Sequence, residues 1–270
     1  DEAERYENTL SNLTNAAATS AALQISQAAF FAALRRVLPP AKIKFSANLS
    51  NVFVERAENG LYMSAACNTF AARFCVATQV LTPGMFPVAV DDMEVIVDGI
   101  KDQVVSADEN IEIRFSQGQL AIRCGKIEYA VRCTAAQLPP LERLVAEKTL
   151  SWGLSLPKQA VETLMSGLNT MADEKGQNFG FRFEGLNVDD GVMMKAIGQT
   201  DTDAEIELIG AKMVGEMPPN FMFKPEILVK TMACDTATET LQVMGYGDVQ
   251  HVHVKDPSTS GVVVMMPAMV

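Results

Sequence analysis

Side chains that readily do chemistry are sparse in this 270-residue chain. Its two histidines, His251 and His253, stand two apart on one face of a stretch that reads as a strand, and could offer two imidazoles to a metal. No cysteine or carboxylate is placed by the sequence to complete that site, so the pair reads as a solvated strand face. The five cysteines (Cys67, Cys75, Cys124, Cys133, Cys234) are odd in number and lack C-x-x-C spacing. They read as buried, reduced thiols without structural zinc. Asp91-Asp92 opens a helical pattern, where carboxylates meet the positive end of the helix dipole, and Asp189-Asp190 precedes Gly191 in a turn. The chain has no nucleophile elbow and no phosphate-binding loop. Gly245-Tyr246-Gly247 lacks the third glycine and following helix of a dinucleotide site. No cofactor, no metal and no enzymatic activity are expected.

The fifteen methionines say more by position than by number. Met265, Met266 and Met269 surround Pro267 at the C-terminal end. A last strand finishing in the core explains the run through Met265; beyond it, soft and adaptable methionines suit a surface that accepts apolar peptides.

The elements that must position these residues follow from composition and periodicity. Hydrophobic residues make up 48% and charged residues 20%, as in soluble globular proteins, and the length favours two domains. Lys and Arg number 22 against 33 for Asp and Glu, a formal charge of −11. That balance argues against a protein that coats nucleic acid wholesale and leaves room for a local basic face. No apolar run reaches the length of a membrane span, and residues 1–22 open on acids with no basic, then apolar, leader pattern. An intracellular soluble protein with a polar N-terminal extension at 1–22 is expected.

The chain also repeats itself. Leu23-Gln24-Ile25-Ser26 lines up with Leu154-Ser155-Leu156-Pro157 at an offset of 131, and Gly60–Ala65 lines up with Gly191–Ala196 at the same offset. Val90–Ile96 matches Phe223–Val229 at 133. In the first half, apolar spacing predicts a helix over 26–38 capped by Ser26 and stopped by Pro39-Pro40. Strands follow at 49–56, 61–67 and 72–80, then a helix at 91–103, then strands near 111–115, 120–124 and 129–132. The second half repeats this order, with helices over 157–172 and 224–234 and three strands after each. Residues 134–153 read as a connection, with a domain boundary near 146 and units at 23–146 and 147–270.

With these motifs in order, the chain resembles the DNA sliding clamp family, in particular the beta subunit of bacterial DNA polymerase III. The resemblance rests on three segments: the tail Val264-Met265-Met266-Pro267-Ala268-Met269-Val270; Gly118–Gly125 running through Tyr129–Arg132 to Leu138-Pro139-Pro140-Leu141; and Phe223–Val229. It covers roughly residues 23 to 270.

The resemblance implies an α+β DNA clamp fold, with duplicated helix-βββ-helix-βββ domains whose helices line a ring and whose sheets lie outside. It implies a DNA polymerase processivity factor without catalytic activity, partnered by duplex DNA, a replicative polymerase, a clamp loader and copies of itself. Six domains per ring and two per chain give a homotrimer, of a divergent or phage-encoded kind, in the bacterial cytoplasm near the nucleoid or in that of a host. The alternative is a clamp-fold interaction or regulatory module that does not encircle DNA.

Carried onto this sequence, the DNA-facing cations are Arg35, Arg36, Lys42, Lys44, Lys101, Lys158, Lys175, Lys224 and Lys230. Helix 91–103 is the exception, with Asp91, Asp92, Glu94, Asp98 and Asp102 against Lys101. Either its acids point away from the hole, or the hole is less basic than in relatives. The partner-peptide cleft maps onto Thr69 and Phe70 in a loop, Leu144 and Val145 in the connector, and Met266, Pro267 and Met269 in the tail. The family's loop has a Thr-Asp-Gly-His-Arg character where this chain has Ala66-Cys67-Asn68-Thr69-Phe70, which leaves the peptide preference open.

Overall fold

A short strand leads into each helix of eight residues or more, and these lead-in strands are what the hydropathy pattern missed. The computed structural model describes residues 22–43, 46–79, 81–101, 110–146, 149–171, 179–188, 191–197, 203–223, 225–233, 238–247, 251–266 and 268–269. Strand β1 (Leu23–Ser26) enters α1 (Gln27–Lys42), followed by β2 (Asn51–Ala57), β3 (Gly60–Ala66) and β4 (Phe70–Ala77). Strand β5 (Gly84–Ala89) enters α2 (Val90–Lys101), followed by β6 (Asn110–Ser116), β7 (Gln119–Cys124) and β8 (Ile127–Arg132). A single turn, α3 (Glu142–Val145), intervenes. The order then returns: β9 (Leu150–Pro157), α4 (Lys158–Met171), β10 (Phe179–Val188), β11 (Gly191–Ile197), β12 (Asp203–Ile209) and a further strand β13 (Lys212–Gly215). Last come β14 (Phe221–Phe223), α5 (Pro225–Met232), β15 (Thr240–Tyr246), β16 (Val252–Lys255), β17 (Gly261–Met265) and β18 (Ala268–Met269).

The lead-in strands are exchanged within each half. Strand β1 pairs with β6 and β5 with β2; in the second half β9 pairs with β15 and β14 with β10. An internal duplication produces the same crossed pairing twice, and the sequence offsets fall on equivalent elements: the ends of β1 and β9, the hairpin strands β3 and β11, and the starts of α2 and α5.

By its contacts the chain forms two compact units, one comprising the chain up to Ala65 with Cys75–Leu138, the other Ala66–Phe74 with Pro139–Val270. The sequence places the division near 146 and leaves Ala66–Phe74 with the first half. Contacts assign that segment to the second unit because Phe70–Phe74 pair residue by residue with β17.

In the first unit, β1-β6-β7-β8 form one sheet, and β2 pairs with β3 and β5. Helix α1 buries Phe30, Leu34 and Val37, and α2 buries Met93, Ile96 and Ile100, each worth about 1.5–3 kcal/mol against exposure. Ser26 caps α1 as expected, its hydroxyl accepting from the Ala29 N–H at 3.1 Å. The helix does not stop at Pro39-Pro40 but runs on to Lys42. A proline ring holds helical φ, and at this end of the helix the pair forfeits bonds only in the last turns, where Pro40 and Ala41 are buried. The Phe86 and Phe115 rings pack against each other, and the Arg56 guanidinium lies over both, 5.0 and 4.9 Å from their centres; burial lowers its pKa.

In the second unit, β12-β11-β10-β14-β18 form one sheet, while β13-β9-β15-β16-β17 continue into Phe70–Phe74 of β4. Residues 150–153, expected as connection, begin β9, whose Trp152, Leu154 and Leu156 are buried. Asp189 and Asp190, Cys234 and residues 1–21 lie outside the described residues. Among the described residues no three metal-binding side chains gather, and no helix is long and apolar enough to cross a membrane.

Candidate docking cleft and helix faces

In the second unit the sheet brings the loop before β4 and the chain after β17 together. The antiparallel ladder ends at Met265 opposite Phe70, and one more bond, Met266 N–H to the Thr69 carbonyl at 2.8 Å, carries the tail past the strand. The loop is tied by its own thiol. Cys67 Sγ receives the N–H groups of Thr69 and Phe70 at 3.5 and 3.4 Å, while the Cys67 N–H reaches the Phe70 carbonyl at 2.9 Å. Thr69 is thus fixed as the acceptor for the tail.

Strand alternation sorts the residues into two faces. Met244, His253, Val264 and Ala71 stand opposite one another on one face, which also carries Thr69 and Met266. Phe70 and Met265 belong to the other face and are buried in the core. Phe70 therefore does not stand beside Thr69, with which the sequence grouped it. Helix α3 packs against β17, held by the Leu144 and Val145 N–H groups on the Leu141 carbonyl, both at 2.9 Å, and anchored by buried Leu141. Leu144 and Val145 are half-buried. Thr69, Met266 and the α3 pair are thereby gathered around β17, where the resemblance places the partner-peptide cleft. Pro267 lies outside the described residues; Met269 takes part through its backbone, in β18 opposite Phe221.

The sequence missed the floor of this cleft. His253 is 0% exposed, not part of a solvated face, and its ring faces the Leu144 backbone without a full hydrogen bond. Its pKa is lowered from 6.5 to about 4, chiefly by burial and in smaller part by neighbouring His251, with the Leu144 backbone opposing both. Its ring stacks on His251 at 5.3 Å and meets the Tyr246 ring edge-on at 4.8 Å. The period-two pattern His251-Val252-His253-Val254 signalled the common face of the histidines but not that α3 would cover it.

The helix cations are placed less simply. Arg35 is exposed, whereas Arg36 is buried at 7%. Lys42 at the end of α1 forms an ion pair with Glu94 of α2, and Lys101 lies 3.6 Å from Asp98. Asp91, Asp92 and Asp98 are exposed, with Val95 among them at 66% exposure. Lys158 and Lys230, on α4 and α5, are half-buried. Lys44, Lys175 and Lys224 lie outside the described residues.

This duplicated strand–helix–three-strand architecture, with lead-in strands exchanged inside each unit, is the DNA clamp fold. Solved sliding clamps match it along nearly the whole chain. The beta subunit of DNA polymerase III from Thermotoga maritima matches 92% of this chain with a TM-score of 0.73 at 15% identity, and 65% of its own length is covered. That from Borrelia burgdorferi, solved with a natural product, matches 94% with a TM-score of 0.76 at 14% identity, with 65% of its length covered. The sliding clamp from Pseudomonas aeruginosa matches 92% with a TM-score of 0.76 at 14% identity, with 67% covered. The chain thus spans about two thirds of the length of these clamps. No protein-family profile and no curated protein sequence matches it.

Proposed function

We propose that the chain is a sliding clamp of two-domain form: a ring of three copies encloses duplex DNA and tethers a replicative polymerase through the cleft beside α3. The observation that carries this reading is the end-to-end likeness to bacterial clamps at two thirds of their length. A six-unit ring built from chains of two such units takes three copies. Sheet edges support closure. Strand β8 ends its sheet in the first unit and β12 ends its sheet in the second, so the edges of neighbouring copies are open to pairing. At the end of β12, Ile209 is 60% exposed and shares a surface depression with Glu205, Glu207 and Glu162, while β8 ends on exposed Arg132. An apolar contact rimmed by opposite charge suits assembly of one chain with the next. The reaction role is mechanical, with no catalytic step.

The acidic outward side of α2 favours a second reading, an interaction module of clamp fold that does not enclose DNA. Mass in solution and retention on DNA separate the two. A clamp sediments at three chain masses, stays on closed circular duplex through gel filtration, and leaves when the circle is cut. A monomer across micromolar concentrations, or equal loss from circular and linear DNA, refutes the ring.

A further inference from the structure

We infer that the peptide docking on this chain does not end at α3 but runs on across the open face of the sheet to β13, as an extended segment with a second apolar anchor and acidic side chains beside it. The inference rests on the docking reading and names the chemistry of the partner. Every residue it uses lies in the second unit.

Register and alternation lay the outer face of this sheet out in rows across the strands. One row is Val214 of β13, Gly153 of β9, Met244 of β15 and His253 of β16, each opposite the next. Its His253 end is buried beneath α3, and its other end is open, with Val214 56% exposed. Leu150, opposite Tyr246 and 45% exposed, widens the open end. These side chains close on one point: a Cβ placed at Gly153 would stand 3.1 Å from Val214 Cγ2, 3.8 Å from Met244 Cγ and 3.9 Å from Leu150 Cδ2. Tyr246 carries the strip on toward the cleft, its hydroxyl donating to Met244 Sδ at 3.3 Å and its ring meeting His253 edge-on. Single exposed apolar side chains are ordinary, but a strip open at one end and continuous with the proposed cleft at the other has the character of an interaction surface.

The neighbouring row on the same face is polar. Lys212, Ser155, Gln242 and Lys255 stand opposite one another, with a lysine at each end and none of the four acidic. That is a local excess of positive charge in a chain whose formal charge is −11. Lys255 is half-buried and burial lowers its pKa, so a carboxylate seated beside it restores part of what the loss of water removes. A peptide with Asp or Glu along one side of its apolar residues matches both rows. Neighbouring strands lie about 4.8 Å apart, so Val214 and His253 are about 14 Å apart, a distance that an extended chain at about 3.3 Å per residue covers in about four or five residues.

The test selects displayed random peptides of about twelve residues, long enough for both anchors, on the full chain, and measures synthetic copies of those selected by fluorescence polarisation. The expected peptides carry two apolar residues about four or five positions apart, with Asp or Glu near the second. Their binding should be lost in Leu144→Asp and weakened about tenfold in each of Val214→Ser, Leu150→Ser and Lys212→Glu, all checked for unchanged melting. All three positions are exposed, so none of these substitutions opens the core. Peptides that need Leu144 but bind Val214→Ser and Leu150→Ser as tightly as the parent overturn the inference and leave the docking reading standing. Selected peptides that are basic, or that bind Lys212→Glu more tightly, overturn it as well. A fall in oligomeric mass in Val214→Ser assigns the strip to a contact between copies and also overturns it. No selected peptides, or peptides indifferent to Leu144→Asp, refute the docking reading and the inference with it.

Discussion

Lowering the pH should loosen the second unit through one residue. In the folded chain His253 is fully buried with a pKa of about 4, against 6.5 for an ordinary histidine. A base whose folded pKa is depressed takes up its proton more readily when unfolded. Stability is therefore highest above pH 6.5 and declines as the pH falls through 6.5 toward 4. With those two values the loss at pH 4.5 relative to pH 7 is about 2 kcal/mol, rising to about 3 kcal/mol once both states are protonated. Trp152, the chain's single tryptophan, is 5% exposed in β9 of the same unit, so its fluorescence reports this unit's unfolding in urea. Carboxylates elsewhere titrate in the same window, which makes the comparison with His253→Leu the informative one. The leucine would be set against Met244, Val264 and Ala71. At pH 7 the variant should be as stable as the parent or more so, because a fully buried imidazole lacking full hydrogen bonding is removed. Between pH 7 and 4.5 the parent should lose about 2 kcal/mol more than the variant. Equal losses within about 0.5 kcal/mol refute the argument, because His253 would then be reaching solvent or a partner in both states.

Two further outcomes test the packing and the cleft. A Cβ at Gly99 of α2 would run into the Tyr129 hydroxyl of β8, so Gly99→Ala should destabilise by about 1–3 kcal/mol, although alanine favours an exposed helix by about 1 kcal/mol. Urea unfolding followed by circular dichroism reads the sign, and adding Tyr129→Ala should recover part of the loss through coupling of the two sites. Leu144→Asp places a carboxylate on the half-buried wall of the cleft beside β17. It should cut processive primer extension by the partner polymerase about tenfold, equivalent to about 1.4 kcal/mol, while leaving the chain's oligomeric mass unchanged. Full processivity in a folded variant removes Leu144 from the docking surface.

Much of the fold was legible because amphipathic periodicity needs only apolar residues in the right places. Phe30, Leu34 and Val37 announced α1, and Met93, Ile96 and Ile100 announced α2. The lead-in strands were not legible. β1 has four residues and β14 three, too short for alternation to stand out, and each is stabilised by a partner strand from the other motif of its unit. Pro39-Pro40 misled for a related reason: local propensity marks a stop, but burial of Pro40 and Ala41 holds the last turn in helix. For the cleft, the resemblance proposes Thr69, Leu144, Val145 and Met266, and the structure places all four near β17. Phe70 was grouped with Thr69 although adjacent strand residues face opposite ways. His253 was missed because its burial depends on α3, a single turn with no periodic signature.

The two proposed surfaces differ in what the fold guarantees. A clamp architecture shared at 14% identity requires apolar positions to stay apolar and strands to keep their partners, conditions that many sequences satisfy. The cleft inherits its geometry from that framework. The Met266 N–H meets the Thr69 carbonyl, and α3 closes on the Leu141 carbonyl, through backbone groups that side-chain replacement leaves in place. The charge of the helix faces has no such protection, since exchanging an exposed cation for a carboxylate leaves helix packing untouched. Docking can therefore be argued from the architecture. The charge that a proposed ring would turn toward DNA has to be read residue by residue, as in the pairs Lys42–Glu94 and Lys101–Asp98.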